Sequence, residues 1–113
     1  MTGKPKYRAR PTTIDGHRFP SQLEAKRYMQ LKLLKQAGKI RDFSLQPSFP
    51  LVDAFKRNGK VVRAITYVAD FRVEHNSGKI VIEDSKGFET PVFKIKRKLF
   101  WMRYPDIDLQ VVK

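Results

Sequence analysis

Two short stretches hold side chains that could bind a cation and act on a phosphodiester. These are "YVADF" (67–71), with Asp70, and "VIEDSKG" (81–87), with Glu83, Asp84 and Lys86. Mg²⁺ takes oxygen ligands, usually one or two carboxylates plus substrate phosphate and water. A lysine beside such a cation can orient or help deprotonate an attacking water, or stabilise charge growing on the phosphate. Acids are scarce in this chain, 11 Asp and Glu against 24 Lys and Arg, so two adjacent acids and a lysine at the tip of an apolar strand stand out. Strand side chains alternate between faces. Asp84 and Lys86 therefore share a face with Ile82, and Glu83 shares the other with Val81 and Ser85. Asp70 shares a face with Thr66 and Val68. If the two strands pair through the "HNSG" turn, Asp70 and Asp84 meet near one end of the hairpin. An unpaired charge in so apolar a strand is costly and needs a partner. A divalent cation is one such partner, and a salt bridge of Asp70 or Asp84 with Lys86 is the other.

A third acid, Glu24, has two readings. It lies three residues after Ser21, so it can close a capping box at a helix start. It is also in line with Tyr28 and Leu31 on the stripe of that helix that would face a sheet, where it could add a metal ligand.

The elements that must position these groups are legible in outline. Asp15-Gly16 suits a tight hairpin turn between two short extended pieces. Ser21 is a good N-cap and Gly38 a good stop, which predicts a helix over 21–37 with Leu23, Met29, Leu31, Leu33, Leu34 and Ala37 as its apolar residues. Residues 40–55 read as extended but broken by Pro47 and Pro50, as at an edge strand or a bend. "RNG" at 57–59 marks a hairpin turn. Long strands are predicted over 60–73 and 79–86. Thr90 caps and Pro91 opens a second helix, with Ile95, Leu99 and Met102 along one stripe and Phe100 and Trp101 as core residues. Pro105 stops it, and a last strand runs over 107–112. A helix between two strands lets them pair in parallel by a right-handed crossover. The expected class is α/β: helix, three-strand meander, helix, strand, giving a mixed sheet of about four strands flanked by helices.

At 113 residues the chain is expected to form one domain, residues 12–113, preceded by a flexible basic arm over residues 1–11 that carries Lys4, Lys6, Arg8 and Arg10. The net charge of +13 points to a nucleic-acid partner, because Lys and Arg neutralise phosphates and release counterions. The apolar runs are too short to cross a bilayer, and the basic, polar start does not read as a signal segment. The absence of cysteine rules out disulfides, thiol catalysis and cysteine-ligated zinc, and fits a reducing cytoplasm. His17 and His75 have no second soft ligand nearby. His17 could meet DNA or simply flank its hairpin.

The order of elements, with "AD" on the second strand and "DSK" on the third, resembles the PD-(D/E)XK nuclease superfamily. That core is shared by type II restriction enzymes, archaeal Holliday junction resolvases and the TnsA transposase subunit. More closely, "FPSQLEAKRY", "LQPSF", "YVADF" and "IEDSKG" followed by a Lys-rich helix resemble small phage-encoded proteins of the resolvase-like and TnsA-like branches. The resemblance spans residues 12–113 and implies a restriction-endonuclease-like core. It implies that Asp70, Asp84, Lys86 and Glu24 are catalytic. It implies that Asp70, Asp84, Glu24 and the carbonyl of Ser85 hold Mg²⁺ or Mn²⁺, and that water attacks in line to leave a 5′-phosphate and a 3′-hydroxyl. Ala69 stands where the motif name has proline. Strand phase selects Asp84, while a bulge at the strand end would exchange it with Glu83. Lys94, one turn into the second helix, and Lys98, a turn further, are candidate phosphate contacts, or else a solvated face. Lys4, Lys6, Arg8 and Arg10 are candidates to track the backbone. The resolvase branch implies branched or recombining DNA, a homodimer and a bacterial host cell. The alternative is a non-catalytic basic DNA- or RNA-binding module, or an inactive subunit of a recombination complex, with the acids in salt bridges.

Overall fold

The computed structural model describes residues 10–113. The chain begins with a small hairpin, β1 (Thr12–Ile14) and β2 (His17–Phe19), turned by Asp15 and Gly16 at positive φ. Helix α1 follows, Gln22–Gln36. Ser21 is its N-cap, its hydroxyl accepting from the Glu24 amide at 3.2 Å. Gly38 ends it in the left-handed region (φ 72), and the Lys39 amide donates to the Leu34 carbonyl at 2.8 Å.

The strands then run β3 (Asp42–Leu45), β4 (Ser48–Val52), β5 (Phe55–Arg57), β6 (Lys60–Val62), β7 (Ile65–Val68), β8 (Phe71–Glu74) and β9 (Ile80–Ser85). Helix α2 spans Pro91–Arg103, and β10 spans Asp108–Val112. Thr90 caps α2, its hydroxyl accepting from the Phe93 amide at 3.1 Å, and Pro91 opens it.

The main sheet has four strands in the order β10-β9-β8-β3. The β3, β8 and β9 contacts are antiparallel, and β9 pairs with β10 in parallel through the α2 crossover. The protein is therefore α/β with a mixed sheet. The central strand β9 is covered on both faces, so Val81, Ile82, Glu83 and Asp84 are all buried in sequence.

The expected strand over 60–73 is divided into β6, β7 and β8. Its partner bends at Gln46-Pro47, where Gln46 takes a positive φ of 51 and proline has no amide to offer the ladder. The pairing survives there as isolated bonds: Gln46 amide to Asp70 carbonyl at 2.9 Å, and Ala69 amide to Pro47 carbonyl at 3.0 Å. At this break the inward side chains change partners. Phe71 and Val73 pack under α1 with Phe19, Tyr28 and Leu31. Tyr67 and Ala69 pack under α2 with Leu51, Phe93 and Phe100.

Two helical expectations need correction. On α1 the buried stripe is Glu24, Ala25, Tyr28 and Leu31, whereas Met29 and Leu33 are exposed. On α2 the buried residues are Phe93 and Phe100, whereas Ile95, Met102 and Trp101 face solvent. Apolar residues surround both helices, and the sheet selects the stripe carrying its best-fitting aromatics. Among the described residues, no helix is long and apolar enough to cross a membrane.

Candidate active site

The register of β8 and β9 brings the acids together. Phe71 is opposite Glu83, so the next position places Asp70 opposite Asp84 where β8 begins. The Asp70 amide still donates to the Glu83 carbonyl at 3.1 Å, which extends the ladder to this point. Glu24 joins from α1. It is buried at 6% exposure and close enough to Asp70 and Asp84 to interact electrostatically with both, so it is more than the end of a capping box. Asp84, at 2% exposure, accepts from the Tyr67 hydroxyl at 2.5 Å through Oδ2. Lys86 Nζ is 3.6 Å from its Oδ1 and lies over the Phe93 ring at 4.9 Å. Asp70 Oδ2 accepts from the Ser85 amide at 2.6 Å.

Glu83, the neighbour that competed for the same role, is engaged elsewhere. Arg27 grips it with Nε and Nη2, each 2.7 Å from a carboxylate oxygen. This fork-to-fork pair holds Glu83 against α1, away from Asp84. The structure thus gathers Glu24, Asp70, Asp84 and Lys86 and keeps Glu83 out.

Burial governs the electrostatics. Asp84 is pushed up to about 7, first by loss of water and then by repulsion from Asp70; the Tyr67 hydroxyl and Lys86 act against the rise. Asp70 is pushed up to about 6, again first by burial, with Glu24 adding repulsion and the Ser85 amide opposing it. Glu24 is raised as well, mainly by burial and further by Asp84. Three carboxyls so close cannot all ionise without added positive charge. Burial and their closeness instead keep protons on them to higher pH than on free carboxyls.

The donor set is all hard oxygen, which suits Mg²⁺ or Mn²⁺. In their present positions, however, no three or more His, Cys, Asp or Glu side chains among the described residues are placed to hold a metal ion. Their oxygens are turned to Tyr67, Ser85 and one another. The residues fit the cation in type; holding it requires the carboxyls to lose their protons and the side chains to turn. The Ser85 hydroxyl oxygen is buried without a hydrogen-bond partner, so this residue reaches the cluster through its backbone alone.

A pocket of about 310 Å³ opens beside the cluster, lined by Gly16, His17, Arg18, Phe19, Glu24, Leu45, Gln46 and Asp70. Glu24 and Asp70 are its acids, and the β1–β2 hairpin forms its rim. That hairpin is fastened to α1 by Asp15, which accepts from Tyr28 and Lys32. Reading the sequence missed Arg18 at this rim, Arg27 as the clamp on Glu83, and Tyr67 on Asp84. Only Tyr67 left a local signal, as the polar tip of an otherwise apolar strand. His17 stands on the rim, its ring 5.9 Å from that of Tyr28. Lys94 and Lys98 are exposed on α2, and Arg10 is exposed before β1. Neither lysine enters a salt bridge among the described residues. Lys4, Lys6 and Arg8 lie outside the described residues.

An α/β chain with a mixed sheet and clustered carboxyls at a strand break is the class this geometry defines. Residues 4–113 match a family described as "Protein of unknown function (DUF1064)", and the chain belongs to that family. No curated protein matches the sequence.

Proposed function

We propose that this protein is a metal-dependent DNA endonuclease of the PD-(D/E)XK type. The observation that carries the reading is the placement of Asp70 opposite Asp84 at a strand break, with Glu24 and Lys86 beside them. The order α1, β3, β8, β9, α2, β10 supports that reading. Asp70 and Asp84, with Glu24 and the Ser85 carbonyl, would hold Mg²⁺ or Mn²⁺. When bound, the cation supplies positive charge against the phosphate being cleaved. Lys86, held beside Asp84, orients the attacking water and faces the charge that grows on the phosphate. Water adds to phosphorus, the bond to the 3′ oxygen breaks, and that oxygen leaves with a proton. The products are a 5′-phosphate and a 3′-hydroxyl. Lys94 and Lys98, with Arg10, Lys4, Lys6 and Arg8, contact the backbone and position it. Resemblance to the resolvases favours branched DNA and a homodimer that cuts symmetric strands.

A second reading is favoured by one observation: the carboxyl oxygens are already engaged by protein donors. On that reading the chain is a non-catalytic nucleic-acid-binding module. The test is cleavage of a labelled four-way junction and a matched linear duplex with Mg²⁺, Mn²⁺ or EDTA. Metal-dependent cutting is expected, reduced at least about a thousandfold by Asp84→Ala. Salt-sensitive binding without any cutting by the unmodified protein would leave the binding module in its place.

A further inference from the structure

The β5–β6 hairpin takes no part in the acid cluster, and it differs from the rest of the chain. Every residue from Asp53 to Ile65 is exposed. No acid occurs from Ala54 to Ala69, while Lys56, Arg57, Lys60 and Arg63 fall within that stretch. None of these four cations is in a salt bridge among the described residues. The hairpin is sharply formed: Asn58 (φ 51) and Gly59 (φ 76) make the two-residue turn whose twist suits paired strands. Phe55 pairs with Val62, Lys56 with Val61, and Arg57 with Lys60. Cross-strand partners share a face, so one face presents Phe55 and Val62 followed by Arg57 and Lys60. Phe55 is 49% exposed and Val61 67%.

A lone two-stranded hairpin is marginal in water, and exposed aromatic and branched residues gain nothing there. A partner must therefore supply both negative charge and a surface for the apolar side chains. A second copy of a chain with net charge +13 brings more repulsion. We infer that the β5–β6 hairpin is an arm that enters the major groove of duplex DNA, its four cations on the phosphates and Phe55 and Val62 toward the base edges. A two-stranded ribbon fits that groove, whereas the deep, narrow groove of A-form RNA does not admit side chains. The inference deepens the nuclease reading and rests on it for the choice of DNA. The chain runs without interruption from Lys60 to Asp70. Even fully extended, that span reaches on the order of 35 Å, about one turn of duplex. The arm would thus grip the same DNA that the acids cut, within about a turn of the cleaved bond.

The test is binding of a 30-base-pair duplex in EDTA across a range of salt, for the unmodified protein and for the variant K56Q/R57Q/K60Q/R63Q. These positions are exposed and the Asn58-Gly59 turn is kept, so the fold survives; circular dichroism checks this. The variant is expected to bind at least tenfold more weakly at moderate salt, and to flatten the slope of log affinity against log salt by about 2 to 4. A matched RNA duplex and vesicles of phosphatidylserine and phosphatidylcholine run alongside. An unchanged DNA slope overturns the inference. Equal losses on DNA and RNA overturn the groove assignment. A loss confined to vesicles overturns it in favour of a membrane partner. Cleavage plays no part in this readout. A protein that binds through the arm and never cuts would sink the nuclease reading and leave the arm standing.

Discussion

The two ends of the ribbon formed by β4 to β7 are opposites. At its root, Asp70, Asp84 and Glu24 are packed into a space with too little positive charge. At its tip, Lys56, Arg57, Lys60 and Arg63 stand in solvent with no acid to meet them. Each end lacks what a cation-bound polyanion would bring: positive charge for the acids, phosphates for the arm. The ends differ in how they bear this. The tip is screened by water and salt, so its repulsion costs little. The root is largely buried, and its acids are held only because the surrounding fold over-determines them.

The sharpest break in this comparison is Arg27→Ala. It leaves Glu83 buried and unpaired, as Asp84 already partly is. Because Arg27 is only partly covered, the loss should lie near the low end for a broken buried pair, about 3 kcal/mol by urea denaturation. Adding Glu83→Gln should restore much of it, since a neutral amide needs no cation. A smaller loss without such rescue would mean that Glu83 is as well solvated as the tip.

A subtler change is Asp84→Asn, which should stabilise the metal-free protein while removing cleavage. The sign follows from the raised pKa values. Between about pH 4 and pH 7 the folded protein keeps protons on Asp70 and Asp84 that the unfolded chain has released. Metal-free stability therefore falls as pH rises through that window and levels off above it. Asp84→Asn should gain about 0.5–2 kcal/mol at pH 8 and close to nothing at pH 5, where Asp84 is already neutral. Mg²⁺ should raise the melting temperature of the unmodified protein at pH 8 and not at pH 5. Stability that rises with pH would overturn the crowded-acid picture.

The smallest effect belongs to the arm. The four Gln substitutions tested for DNA binding should alter melting by less than about 0.5 kcal/mol, because each cation is exposed and unpaired. A larger loss would show that the arm packs on something within the molecule.

Much of this contrast was written locally in the chain. Strand alternation placed Asp84 with Ile82, and the "HNSG" turn fixed the register that sets Asp70 across from it. Ser21, Gly38, Thr90 and Pro91 marked the helix ends, and Asp15-Gly16 and Asn58-Gly59 marked the hairpins, because capping and turn chemistry depend on few neighbours. Contacts between distant segments left no such mark. Nothing near Glu83 reveals that Arg27 will take it rather than Asp84. Phe100 was legible as a core residue, but nothing in α2 says that Phe93 will join it in place of Trp101, Ile95 and Met102. The break at Asp70 depends on Gln46-Pro47 in the neighbouring strand, so the 60–73 stretch read as continuous.

The Arg27 clamp bears on which length changes the chain could survive. Glu83 and Asp84 are adjacent acids with opposite fates, one gripped by a guanidinium and the other left among carboxyls. Only the odd-even count along β9 keeps them apart. Deleting one residue upstream within that strand would hand the clamp the wrong acid and turn Glu83 away from α1, to the face where Ile82 now packs with Phe93 and Phe100. The same deletion at the tip of the β5–β6 turn would shorten a loop and disturb no buried charge. Insertions and deletions should accordingly gather in the arm and spare β9, so that the site is protected by parity as much as by chemistry.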